Sequence, residues 1–311
     1  GTISATTLNA TFNVEKALIN SGTIDTQTLT AKSSVENSGT ISATTLTAQS
    51  SVTNDGTISS TTKLEVTGIL TNETSGSISA ATLTADDEIN NSGTITTQTL
   101  TVEKTLTNTG SISTASLSAD DDITNSGTIS TGILTAKFSV ENTGTITMTT
   151  TAEITGSLTN KKSFNAETAD VTVGGNVSNT DNGDIQAKNL TVTGSLTNEK
   201  IITVSETLIA KSSVENNGTI TVKTTAEITG TLTNKNLFDA ENAEVEVCEN
   251  VSNTDSGEIK AKTLKVTGTL TNEKTVFVTE TLEVVGLLTN DVSGTISATT
   301  LNATFNVEKA L

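Results

Sequence analysis

One short pattern governs the chain. An apolar residue, any residue and an asparagine are followed within a few positions by isoleucine or its equivalent, and the pattern recurs from one end to the other. The asparagines are Asn20, Asn37, Asn54, Asn72, Asn91, Asn108, Asn125, Asn142, Asn160, Asn179, Asn198, Asn216, Asn234, Asn253, Asn272 and Asn290. The column that follows runs Ile3, Ile24, Ile41, Ile58, Ile78, Ile95 and onward to Ile296, with 17 to 21 residues between successive members and most often 17. A short fixed period is the mark of a solenoid, in which each repeat buries its apolar face only by stacking on its neighbours.

Within a repeat a second apolar column falls about five residues later (Leu29, Leu46, Leu83, Leu100) and a third about eleven later (Val35, Val52, Ile89, Leu106). Around each, "TISA", "TLTA" and "SVEN" alternate polar and apolar residues, the period of a strand with one buried face. Such runs are too short for helices and leave no 3.6-residue stripe. The chain holds 70 Thr and no Pro. Thr and the β-branched aliphatics favour strands. The absence of Pro, which cannot donate to a ladder, fits strands paired on both sides. The expected fold is all-β: a single-stranded parallel β-helix, or β-solenoid, of about 17 coils over residues 1–311. Three short strands per coil, one for each apolar column, and no caps are expected, and stacking at about 4.8 Å per coil gives a length of roughly 80 Å. Asparagine tolerates left-handed backbone angles and its amide donates and accepts, so the sixteen are expected to turn a corner and to bond from coil to coil. The glycine that often follows is expected to serve the same turn by its backbone freedom.

Four corners, "TNETSGSI", "SNTDNGDI", "SNTDSGEI" and "TNDVSGTI", hold two extra residues and are expected to bulge without forming domains. Duplication is visible at three scales. Residues 150–223 recur as 224–297 with an offset of 74, "GILTNETSG" recurs as "GLLTNDVSG" with an offset of 218, and residues 1–18 recur unchanged as 294–311, 293 residues or sixteen coils on. The last repeat falls in register, Ile296 with Ile3 and Leu301 with Leu8, which predicts that the native chain continues beyond Leu311 with text like that after Leu18.

With 35 acids against 17 lysines the net charge is −18, the wrong sign for nucleic acid or an anionic membrane surface. The chain has no His, no Arg and one Cys, which removes the usual acid–base, nucleophilic and metal-ligating groups, so neither an enzyme nor a cofactor is expected. The clusters Asp86, Asp87, Glu88 and Asp120, Asp121, Asp122 are weak Ca²⁺ candidates without a Gly-rich calcium-roll pattern, and a solvated corner explains them more simply. Outward threonines flank the inward leucines (Thr28 and Thr30, Thr45 and Thr47, Thr82 and Thr84, Thr99 and Thr101) and resemble an ice-binding array, though strands select threonine anyway. Cys248 stands where Gly174 stands in the preceding 74-residue block and reads as a tolerated substitution. Six Phe in mainly apolar positions build no aromatic platform for sugars.

"LTNSGTIS"-like text followed by "TLTA" in coils of this length resembles the repeats of filamentous haemagglutinin-type bacterial surface adhesins, over essentially the whole chain. The resemblance implies a right-handed parallel β-helix, export by two-partner secretion and a place on the bacterial cell surface. The leading expectation is therefore the structural shaft of a giant extracellular adhesin fibre. The alternatives are a non-adhesive filament or sheath of rods joined end to end or side by side and, as a minor one, an ice- or Ca²⁺-binding solenoid. The expected partners are further copies of the same repeat, in the same chain or head to tail, and lateral filament contacts. Neither nucleic acid nor membrane insertion is expected.

Overall fold

The computed structural model describes residues 8–306. Expectations that fall on residues 1–7 and 307–311, among them the place of Ile3, the missing caps and the ends of the duplicated 18-residue stretch, lie outside the described residues. The chain divides into two compact units, Gly1–Thr149 and Thr150–Leu311. The division coincides with the start of the first 74-residue block. Both units are β-solenoids: every strand pairing described is parallel, and no helix occurs among the described residues. Each unit holds eight asparagine-marked turns.

In the first unit a coil consists of a long strand and a short one, for example Thr40–Ala48 then Val52–Asn54. Like pairs with like. Ile24, Ile41 and Ile58 are in register, as are Leu29, Leu46 and Leu64, and Val35, Val52 and Leu70. These columns form the core, and Ile41, Leu46, Val52, Ile58, Leu64 and Leu70 are entirely buried. Full burial of each such side chain contributes about 1.5–3 kcal/mol, and the contribution recurs with every coil.

The second unit repeats this plan, with Phe164, Ile185, Ile202, Ile220, Phe238, Ile259 and Val276 buried in the first column. The expectation of three separate strands per coil needs correction. In most coils the first two run on as one strand of nine to eleven residues, as in Ser163–Val173 and Leu237–Val247. They separate only where two polar residues intervene, between Ile201–Val204 and Thr207–Ala210 and between Thr219–Val222 and Thr225–Ile228. Elsewhere a bulge at the bend takes up the extra residues, as between Ala166 and Asp170 and between Ala240 and Glu244. A bulge opposes extra residues on one strand to fewer on its partner, so the period varies while the buried columns stay in line.

Candidate functional site: the asparagine ladder and the outer columns

The asparagines converge on one ladder in each unit, buried at every rung except the last described one, Asn290, which is exposed. In the first, Asn20 Nδ2 donates to Asn37 Oδ1 at 2.7 Å, and the same bond links Asn37 to Asn54, Asn54 to Asn72, Asn72 to Asn91, Asn91 to Asn108, Asn108 to Asn125 and Asn125 to Asn142 at 2.7–2.8 Å. In the second, Asn160, Asn179, Asn198, Asn216, Asn234, Asn253, Asn272 and Asn290 are linked in the same way at 2.8–2.9 Å. The remaining valence of each amide goes to backbone. Asn108 Nδ2 also donates to Gly110 O (3.2 Å) in its own coil and to Thr128 O (3.1 Å) in the next. The backbone carbonyl of Asn108, in turn, accepts from Ser126 N (2.8 Å) and Gly127 N (3.1 Å) of the next coil. A buried amide left unmatched costs about 1–3 kcal/mol for each orphaned group. An amide carries two donors and one acceptor oxygen, a set that matches this corner and that no other small side chain supplies.

The corner conformation departs from expectation. Among the described residues only Asp181 (φ 54°) and Asp255 (φ 55°) are non-glycine residues with positive φ, and no glycine has positive φ. The asparagines and glycines therefore do not turn the corner by left-handed backbone. The glycines are small because coils approach closely there: a Cβ built on Gly110 would overlap the carbonyl oxygen of Gly93, and one on Gly127 that of Gly110. The four long corners bulge as expected. Asn72, Asn179, Asn253 and Asn290 still reach a glycine carbonyl, now four residues on (Gly76, Gly183, Gly257, Gly294; 2.8–3.1 Å). Turn bonds such as Gly183 N to Thr180 O (2.7 Å) close the extra loop.

The first unit holds a second buried polar column that the periodicity did not single out: Thr26, Ser60, Thr97, Thr114 and Thr131. Thr97 Oγ1 donates to Thr114 Oγ1 (2.9 Å), Thr114 Oγ1 to Ser116 O (2.9 Å), Thr131 Oγ1 to Ile133 O (2.7 Å) and Ser60 Oγ to Lys63 O (2.6 Å). The signal was present as a hydroxyl two places after the isoleucine, but the alanines sharing that column hid it.

The acidic clusters lie at the bend before the third strand and are engaged there. Asp87 pairs with Lys104 one coil on (2.9 Å) and Asp120 with Lys137 (2.5 Å), while Asp122 Oδ1 accepts from Ser139 N (2.9 Å) and Asp121 Oδ1 from Asp122 N (2.9 Å). The hydrogen bond from Lys104, helped by the Glu88 N–H, holds the Asp87 carboxyl below its ordinary value and raises Lys104. The hydrogen bond between Lys235 and Glu215 (2.8 Å) likewise lowers Glu215 and raises Lys235. Asp86 and Glu88 flank Asp87, and among the described residues no three acids or cysteines converge as a metal site would require.

The threonine pairs face outward in register, Thr28 with Thr45, Thr30 with Thr47, Thr82 with Thr99 and Thr84 with Thr101. Lys63 and Glu65, ion-paired at 3.1 Å, take both columns in the coil between. The array is thus split by charge as well as fading at Ser116 and Ser118. Cys248 is exposed. A shallow depression of about 220 Å³ on the second unit is lined by Thr225, Glu227, Glu244, Glu246 and Lys265, with Lys265 bonded to Glu246 at 2.6 Å. No described helix is long and apolar enough to cross a membrane. Comparison with protein-family models, curated proteins and solved structures yields no match.

Proposed function

We propose that the chain is a length of the shaft of an extracellular bacterial surface fibre, built from tandem β-solenoid coils, and that its work is mechanical rather than catalytic. The observation that carries the reading is the asparagine ladder. Within each unit seven side-chain bonds run from coil to coil through the buried corner, so every coil is tied to the next by side chains as well as by strand pairing. Stability in such a stack grows with the number of coils. The outward residues vary freely, as expected of a spacer, while the polar groups at the buried corner keep their partners. The resemblance of "ITNSGTIS" at residues 123–130 and of the recurring "TLTA" to filamentous haemagglutinin-type repeats supports the cell-surface setting. Antibody raised against residues 150–297 tests the reading on intact cells that make the protein, combined with the mass of the native polypeptide it detects. Surface labelling of a chain much larger than the 31.9 kDa of this sequence is expected. A native product of only that mass, or one confined to the cell interior, contradicts the proposal.

A further inference from the structure

In the second unit, seven successive bends between the first and second strand positions carry one charged residue each, and the signs alternate up the stack, Glu167, Lys188, Glu206, Lys223, Glu241, Lys262, Glu280, before the alternation ends at the uncharged Thr299. Backbone bonds hold successive bends against one another, Glu206 N donating to Lys188 O (2.8 Å) and Thr224 N to Glu206 O (3.2 Å). The same bend in the first unit is occupied by Gln27, Thr44, Thr61, Ala81, Gln98 and Ala115, without a charge. Those coils stack in the same parallel register, so the bend does not need charge in order to form.

Nor are the charges consumed within the chain. Only Lys188 with Glu206 (3.7 Å) and Lys262 with Glu280 (3.9 Å) approach, both at long range and with side chains 41–57% exposed. Among the described residues Glu167, Lys223 and Glu241 have no ion-pair partner within 4 Å. Duplication has kept the alternation. The 74-residue block spans four asparagine-marked coils, an even number, so copying it carries Glu167 onto Glu241, Lys188 onto Lys262 and Glu206 onto Glu280 with no break in sign.

A column of alternating charge is complementary to itself. Set in register against a second copy it opposes like charges, but slid by one coil, about 4.8 Å, it faces every lysine with a glutamate. We propose that this corner is a homotypic docking edge, on which a second copy of this chain seats its own charged corner displaced by one coil. The inference gives the lateral contact of a fibre a specific surface, and it stands whether or not the fibre lies on a cell. Exposed pairs are individually weak and screened by salt, and the net charge of −18 opposes association, so the contact is of modest affinity and fades at high ionic strength.

Sedimentation of the full chain with two reversal variants tests this. K188E/K223E/K262E makes the column wholly negative, and E167K/E206K/E241K/E280K makes it wholly positive. The wild type is expected to self-associate at concentrations up to on the order of 100 µM in low salt, and each variant alone to do so about tenfold more weakly or worse. An equimolar mixture of the two should recover association. Both variants remain net negative, so recovery reports matched corners and not general attraction. Circular dichroism checks folding, and K188Q/K223Q/K262Q, which copies the uncharged bend of the first unit, replaces the negative variant if it unfolds. A wild type that stays monomeric, variants that associate like the wild type, or folded variants whose mixture does not recover would each overturn the proposal. Surface labelling of cells depends on none of these outcomes, so this proposal and the shaft reading fail separately.

Discussion

The two units solve the same corner differently. In residues 1–149 the position two places after the ladder asparagine, or four in a long corner, is glycine in all eight turns, from Gly22 to Gly144. In residues 150–311 glycine alternates with a larger residue: Lys162, Gly183, Lys200, Gly218, Asn236, Gly257, Lys274, Gly294. The hydrogen bonds record the consequence. Where glycine stacks on glycine the bond between coils is 2.8–2.9 Å, as from Thr40 N to Gly22 O and from Thr128 N to Gly110 O. Where Lys200, Asn236 or Lys274 stacks on glycine, the bond beneath stretches to 3.2 Å (Ile201 N to Gly183 O, Leu237 N to Gly218 O, Thr275 N to Gly257 O). Where glycine stacks on lysine it contracts, to 2.6 Å from Thr219 N to Lys200 O. A Cβ needs room, and the backbone gives that room on one side by closing up on the other. The constraint is therefore not glycine in every coil but no two side chains in succession.

The ladder is common to both units, so its loss should be the largest effect and an equal one. Asn108→Ala in the first and Asn234→Ala in the second each orphan the amides above and below, and each should cost about 3–5 kcal/mol in urea unfolding. A marked inequality would show that the units do not share the ladder as their main polar contact. The glycine rule separates them. Gly218→Ala, placed between Lys200 and Asn236, puts three side chains in succession and should cost about 2–3 kcal/mol, whereas Gly110→Ala, between two glycines, presses on the Ser92 and Gly93 carbonyls, which can give way as the backbone does around Lys200, and should cost about 1–2 kcal/mol. Equal costs would break the rule.

A smaller difference concerns the second buried column, which is partly hydroxylated in the first unit and wholly aliphatic in the second (Ala187, Val204, Val222, Ala261). Thr114→Val leaves the Thr97 hydroxyl without its acceptor and should lower stability by about 1 kcal/mol, while Thr97→Val with Thr114→Val should be near neutral. The smallest effect is titration. Asp87 has its native pKa below the ordinary 3.8, so its contribution is present above that value and is lost as pH falls through the lowered native one. Asp87→Asn should lower stability slightly at neutral pH and leave it unchanged well below the native value, so that the acid limb of the unfolding curve flattens.

Most of the fold is legible in the chain because side-chain period and buried column are the same fact in a solenoid. The aliphatic columns and all sixteen asparagines could be placed by spacing alone. The function of Gly110 could not, because backbone freedom and close approach both select glycine and only coordinates separate them. Lys162, Lys200 and Lys274 held the clue, since glycine required for positive φ would not tolerate lysine in every other coil. The merging of the first two strands was hidden for another reason: a bulge and a loop use the same polar residues, and whether the ladder continues depends on backbone bonds across coils. Thr97 and Thr114 were masked because strand propensity already accounts for threonine.

Coil stacking in both units depends on asparagine amides that donate from coil to coil inside the buried corner. Hydrogen exchange of side-chain NH₂ groups, followed by NMR on asparagine-labelled protein, measures this directly. The ladder amides, such as those of Asn54, Asn108, Asn198 and Asn253, should exchange far more slowly than those of the exposed Asn182, Asn217 and Asn242. Side-chain amides that all exchange at one fast rate would contradict the ladder, and with it the coil stacking on which both units depend.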